Sequence, residues 1–171
     1  MIVFFPFDVL KILSITKFSP FIVINDNVRN KIYQHLSSQK VELGGLLIGN
    51  VISSIDLNSS IVAIRIVDAF ASSDFDSTSV SLSMNPNIWQ RANEYCDNNT
   101  FVVGWYHSHP NLGAFFSGTD RKTQKDFFFH NYSLGLVVDP IRNEECWFRG
   151  SDSEAVSQGF IKENFSGMAL V

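Results

Sequence analysis

Runs of apolar and β-branched residues alternate along the chain with stretches in which apolar residues recur every three or four positions. The first pattern predicts strands and the second predicts helices. "FIVI" (21–24), "LGGLLIGNVI" (43–52), "SIVAIRIVDAF" (60–70), "SVSLS" (79–83), "TFVVGWYHSH" (100–109), "SLGLVVD" (133–139) and "CWFRG" (146–150) read as strands. Asp26 is placed to cap a helix that runs to about Ser38, with Val28, Ile32 and Leu36 on one face. "MNPNIWQRANEYCDNN" (84–99) predicts a second helix, with Asn85 as cap, Pro86 at the first helical position and Ile88, Ala92 and Tyr95 along one face. "GTDRKTQKDFFFH" (118–130) predicts a third. "NSS" (58–60), the polar segment 71–77 and "PIRNE" (140–144) supply turns and loops. Residues 151–171 have two readings, a last helix or a loose tail.

Strands therefore come in hairpin-like pairs with helices inserted between them. That order predicts an α+β fold with a largely antiparallel or mixed sheet, not the strict alternation of a doubly wound fold. With 171 residues and no repeat or low-complexity linker, a single domain is expected over 1–171. Its core covers about 20–150, with an arm at 1–19 and a tail at 151–171. The arm is apolar, but Pro6, Asp8 and Lys11 interrupt it, and it lacks a basic start and an A-x-A-like cleavage site. It is read as neither a secretory leader nor a membrane span. An early strand or packed arm is expected, and a membrane-surface or partner-binding arm is the other reading.

Charge and cysteine usage narrow the function classes. A net charge of −4 with no basic run argues against nucleic acid and anionic membranes as partners. The two cysteines, Cys96 and Cys146, lie fifty residues apart and match no metal-ligand spacing and no disulfide framework. They are expected to be idle thiols in a reducing, cytoplasmic setting. Neither G-x-G-x-x-G after a strand nor a Walker A lysine loop is present, so nucleotide binding has no support.

The chemistry concentrates in "GWYHSHPNLGAFFSGTD" (104–120). Residues two apart on a strand point to the same face, so His107 and His109 project together while Ser108 faces away. Pro110 cannot donate to the ladder and ends the strand. Asp120 follows a short loop, near the start of the next helix, and can return as a third ligand. Two imidazole nitrogens and one carboxylate oxygen make a hydrolytic zinc set with the fourth position open. Ser117 and Asp120 also match a helix capping box, S-x-x-D, which explains both residue types without a metal. The two roles can coexist.

A metal hydrolase needs a general base. Glu42, just ahead of an apolar strand, is the candidate, and a solvated connector is its alternative. Gly44 and Gly45 permit close backbone approach, either by a substrate strand or within a bend. Trp105, Phe115 and Phe116 are candidates to line a substrate groove, with core packing the alternative for Trp105.

These residues carry a resemblance. "HSHPNLGAFFSGTD" matches the JAMM signature H-x-H-x7-S-x2-D at every spaced position. "ELGGLLIG" resembles the upstream glutamate segment of that family, and "VVGWYHSHP" is very similar to the deubiquitinating members of the proteasome lid and the signalosome. Over roughly residues 20–150 the chain resembles the JAMM (MPN-plus) zinc metallo-isopeptidases. The resemblance implies a cytidine-deaminase-like α/β fold, with a curved mixed sheet flanked by helices. It implies one zinc per chain, with His107, His109 and Asp120 in the positions of the ligands. Glu42 falls at the general acid/base and Ser117 at the residue whose hydroxyl stabilises the oxyanion. The substrate implied is an isopeptide bond after the C-terminal glycines of a ubiquitin-like protein. The segments where ubiquitin-selective members carry insertions are compact here, which suits a prokaryotic member. Such a member works beside E1- and E2-like proteins, often in antiviral pathways.

Three rival readings remain at this point. One is a peptidase that matures a ubiquitin-like or sulfur-carrier precursor. Another is a non-catalytic assembly module, against which the complete constellation weighs. The third is a nucleobase deaminase, which needs a P-C-x-x-C pair that Cys96 and Cys146 cannot supply.

Overall fold

The computed structural model describes residues 3–4, 19–54, 60–72, 86–164 and 169–170. Strands β1 (Val3–Phe4) and β2 (Phe21–Ile24) precede helix α1 (Asp26–Leu36). β3 (Gly44–Ser54) and β4 (Ser60–Ala71) lead to α2 (Pro86–Tyr95), β5 (Phe101–Ser108) and α3 (Gly118–Phe127). β6 (Leu134–Asp139), β7 (Glu144–Arg149), β8 (Glu154–Val156), β9 (Ile161–Lys162) and β10 (Ala169–Leu170) complete the order. Eight strands form one sheet in the order β8-β7-β6-β5-β3-β4-β2-β9, while β1 pairs with β10. The sheet is mixed: β5 and β6 are parallel, as are β2 and β4, whereas β3 runs antiparallel to both β4 and β5.

The parallel pair β5–β6 positions the site. Parallel neighbours need a crossover, and α3 supplies it. A chain leaving the C-terminal end of β5 must turn back before it can enter β6. The first turn of α3 therefore follows shortly after the strand end that carries the histidines, and ligands in such sheets gather at carboxyl strand ends.

Alternation along the strands divides the core in two. Ile24, Val28, Ile32, Leu36, Leu47, Tyr106, Leu136 and Trp147 pack on the α1 face. Leu46, Ile48, Ile88, Ala92, Trp105, Phe116, Phe128, Val137 and Phe148 pack on the other. The stripe Val28–Ile32–Leu36 is buried as its spacing predicts.

Several expectations are corrected. The cap of α1 is Asn25, whose side chain accepts from the Val28 N–H at 2.9 Å. Asp26 instead sits in the first turn, where its charge favours the helix N-terminus. Tyr95 does not join Ile88 and Ala92 in the core. Its ring is half-exposed and lies edge-on to Phe70 at 4.9 Å. The third helix stops at Phe127, so Phe127 and Phe129 are exposed while Phe128 is buried. Residues 151–164 form neither an α-helix nor a loose tail, and their helical structure is one short 3-10 turn at Gln158–Phe160. β8 extends one sheet edge on β7, and β9 extends the other, parallel to β2. The predicted strand at 79–83, the Asn85 cap, the turn at 58–59 and most of the arm lie outside the described residues. Among the described residues no helix is long and apolar enough to cross a membrane. Cys96 and Cys146 are free, and burial pushes both thiols up, away from the reactive thiolate.

Gly45 lies opposite Tyr106 in the β3–β5 ladder. A Cβ there would stand 2.0 Å from the Phe70 carbonyl oxygen and 2.7 Å from the Tyr106 ring. Glycine is thus required by packing within the sheet. Gly45→Ala is expected to lower stability by about 1–3 kcal/mol in denaturant titration. A stable variant with only a raised KM would return this glycine to the substrate groove.

Candidate metal centre

β5 carries Trp105 and His107 on one face and Tyr106 and Ser108 on the other. The ladder continues one residue past the strand, because the His109 N–H donates to the Val138 carbonyl at 2.9 Å. Strand geometry therefore holds through both histidines, and their rings come together, with His107 Nε2 and His109 Nε2 at 3.2 Å. His107 is fully buried and His109 is 4% exposed.

The loop from Pro110 to Phe116 is held by Asp139 at the end of β6. This fully buried carboxylate accepts from the backbone N–H groups of Asn111, Gly113, Ile141 and Arg142, at 3.0, 2.8, 3.0 and 3.1 Å. Asn111 and Gly113 both adopt positive φ, at 62° and 95°. Burial works against the charge on Asp139, but the four donors outweigh it and hold its carboxyl at about 2. A carboxyl held below its ordinary value stabilises the folded chain at neutral pH, and that contribution fades as pH falls from about 4 toward 2. Asp139→Asn presents an amide to N–H donors. It is expected to cost about 1–3 kcal/mol at pH 7 and to lessen the loss of stability over that acid range, as read by thermal melts across pH.

Ser117 caps α3, and the capping box is complete. Its hydroxyl accepts from the Asp120 N–H at 3.2 Å, and Asp120 Oδ2 accepts from the Ser117 N–H at 2.6 Å. Capping occupies one carboxylate oxygen only. Asp120 Oδ1 is buried, has no hydrogen-bond partner, and faces His107 Nε2 at 3.2 Å. Asp120 Oδ2 also lies 3.5 Å from His109 Nε2. The capping reading and the ligand reading of Asp120 are thus compatible in one side chain.

These separations test whether the residues suit a metal. Bonds of about 2.0–2.2 Å to a tetrahedral zinc put ligand atoms about 3.3–3.6 Å apart. The His107–His109 contact and the His107–Asp120 Oδ1 contact, both at 3.2 Å, lie close to that spacing, and the ligand atoms of His107, His109 and Asp120 all lie within 4.8 Å of one another. Protonation states agree. Burial, reinforced by the neighbouring His107, lowers His109, leaving a neutral imidazole with a free lone pair. Burial alone would raise Asp120, but His107 and Ser117 hold it at about 2, so it is an anion at neutral pH. A neutral imidazole and an anionic oxygen are what zinc binds.

Glu42 is half-buried one residue before Leu43, whose backbone pairs with Ser108. Burial raises its carboxyl, with Asp120 adding to the rise and His109 opposing it. Glu42 therefore stands within electrostatic reach of the cluster.

The aromatic candidates divide. Trp105 is buried, stacks on the His107 ring at 4.5 Å and 5°, and donates Nε1–H to Gln124 Oε1 at 2.7 Å. Phe116 is buried against Phe148, at 3.9 Å between ring centres. Both therefore belong to the core and not to an open groove. Phe115 stays 48% exposed, 5.1 Å from the His109 ring. Gly44, opposite His107 in the ladder, is buried.

Gln124, which sequence reasoning missed, ties the site together. Its Nε2 donates to the carbonyls of Phe128 and Ser133, so its Oε1 is turned toward Trp105. One helical turn after Asp120, it shares that residue's face of α3, and the i, i+4 spacing was the available signal. Asp139 and Ser108 were missed as well, because their partners are backbone groups far away in sequence.

The profile of the family described as prokaryotic homologs of the JAB domain matches residues 25–149, and the chain belongs to this JAB/MPN family. Among its relatives, the 26S proteasome regulatory subunit RPN11 of Candida glabrata is 32% identical over 108 residues, covering 60% of this chain and 33% of that protein. The ubiquitin carboxyl-terminal hydrolase RPN11 of Saccharomyces cerevisiae is also 32% identical over 108 residues, with the same coverage. The 26S proteasome non-ATPase regulatory subunit 14 of Dictyostelium discoideum is 30% identical over 119 residues, covering 66% of this chain and 36% of that protein. The matched segment thus spans about a third of the length of these relatives.

Proposed function

We propose that the chain is a zinc-dependent metallo-isopeptidase that hydrolyses the bond after the C-terminus of a ubiquitin-like protein. The observation that carries this reading is the convergence of His107, His109 and Asp120 at zinc-ligand spacing, with Glu42 electrostatically coupled to two of them. A relative named for ubiquitin carboxyl-terminal hydrolysis supports the substrate class. The same reading places the chain with a bacterial ubiquitin-like modifier and E1- and E2-like partners in a cytoplasmic, antiviral setting; the prokaryotic description of its family accords with the bacterial part of it.

His107, His109 and Asp120 would hold the zinc, which would supply Lewis acidity to activate a water. The remaining roles fall to the chain. Glu42, its carboxyl raised by burial, takes the proton as the water adds to the carbonyl carbon. The Ser117 hydroxyl, which accepts from the Asp120 N–H beside the cluster, is assigned to the developing oxyanion. Glu42 returns the proton to the lysine amine as the C–N bond breaks.

Ser117→Ala separates the two jobs of that serine. Loss of the cap costs about 1 kcal/mol of stability. Loss of an oxyanion donor costs about 10²–10³ in kcat with little change in KM, since the charge develops only in the transition state. A variant that melts lower but cleaves at the full rate would leave the serine as a cap only.

The test of the function offers the zinc-loaded protein one ubiquitin-fold protein joined through Gly-Gly in two ways, to a lysine side chain and as a linear fusion. Release of intact modifier from the lysine conjugate, absent in Glu42→Gln, supports the isopeptidase. Cleavage of the linear fusion alone would favour the maturing peptidase, and no cleavage with any Gly-Gly conjugate would favour the assembly module.

A further inference from the structure

We propose that Ser108 is a positioning residue that sets Glu42 against the metal centre. Glu42 needs such a device. β3 begins at Gly44, so strand pairing stops two residues short of it. The polypeptide from Ser37 to Leu43 has no regular structure of its own. A base that must meet one water at one metal has to be held to within about 0.5 Å.

One buried hydroxyl provides the hold. Ser108 Oγ accepts from the Leu43 N–H at 3.0 Å and faces the Val41 carbonyl at 3.5 Å, toward which it donates. Those groups belong to the two peptide units on either side of the Glu42 Cα. The Ser108 N–H donates to the Leu43 carbonyl at 2.9 Å, adding a third tie. Ser108 itself is fully buried and its backbone is fixed in the ladder with β6, opposite Val138. The glutamate segment is therefore fastened to the residue between the two histidines.

Strand alternation explains why this position can do the job. His107 and His109 face the metal centre, so the residue between them must face the opposite side, toward the chain entering β3. A side chain there has to be small and both accept and donate. Alanine or valine would suit the strand but leave the Leu43 N–H buried without a partner, since Leu43 is only 7% exposed. The H-S-H triplet thus carries two functions on two faces: metal ligands on one, and alignment of the base on the other.

The inference rests on the proposed role of Glu42 as proton carrier, and the test separates the two. Ser108→Ala is made in the full chain, alone and with Glu42→Gln. Four outcomes are expected. Zinc stoichiometry and affinity, by chelator competition, stay at the wild-type level. The Leu43 amide of the metal-free protein exchanges at least about 10-fold faster by NMR. In single-turnover assays kcat falls about 10–100-fold with KM within about twofold. In the Glu42→Gln background Ser108→Ala costs nothing more, because the residue acts only through Glu42. Equal losses in both backgrounds, loss of zinc, or a wild-type kcat would each overturn the proposal. If Ser108→Ala does not fold, Ser108→Cys fills similar space with a weaker hydrogen-bonding group and should lose turnover while keeping zinc. A wild-type kcat in Ser108→Cys would equally overturn it. Failure of the underlying reading shows differently: Glu42→Gln alone would cleave at the wild-type rate.

Discussion

Glu42→Gln is expected to keep one zinc per chain and to lose roughly 10²–10⁴ in turnover, the range contributed by a positioned general base. The substitution preserves size and removes only the ability to accept a proton. Glu42 lies outside the cluster formed by His107, His109 and Asp120, so the metal should remain. The present carboxyl is already adjusted for the task, because burial raises it while His109 tempers the rise. KM should change little, since the lost interaction belongs to the transition state. The check is a paired measurement of zinc content and single-turnover rate. Turnover near the wild-type rate would mean that another group moves the proton.

His107→Ala and His109→Ala are expected to lose metal and activity together, down to the rate of chelator-treated wild type. Each removes one of the three proposed ligands, whose ligand atoms lie within 4.8 Å of one another. His107→Ala also takes away the ring stacked on Trp105 and exposes the buried Asp120 oxygen to an unfilled space. Asp120 would then be a buried anion that has lost the imidazole facing Oδ1 at 3.2 Å, which is costly. Added zinc should raise the melting temperature of the wild type, as a ligand of the folded state must. It should leave both variants unmoved. A zinc-dependent melting shift in His109→Ala would show that the metal binds elsewhere.

Much of the site was legible in the sequence because its chemistry is local. H-x-H on a strand projects two rings to one side, and S-x-x-D at a helix start is written in consecutive residues. The structure adds that Asp120 uses its two oxygens separately, one for the cap and one facing His107. The supports of the site were not legible. Ser108 bonds Leu43, 65 residues away, and Asp139 bonds Asn111 and Gly113, 28 and 26 residues away. Such bonds exist only after the sheet has ordered its strands. The same holds for β8 and β9, too short to show a period, which become strands by pairing with the edges at β7 and β2. Phe115 and Phe116 read alike in the sequence, but the loop turns one ring outward and the other onto Phe148. Asn25 and Asp26 are both good caps, and local preference alone does not choose between them.

The most direct test of the account is a zinc titration of the metal-stripped wild-type protein by calorimetry. We expect one tight site per chain, at the ligand atoms of His107, His109 and Asp120 that lie within 4.8 Å of one another. A wild-type protein that binds no zinc, and that cleaves a Gly-Gly conjugate equally well in chelator, would contradict it.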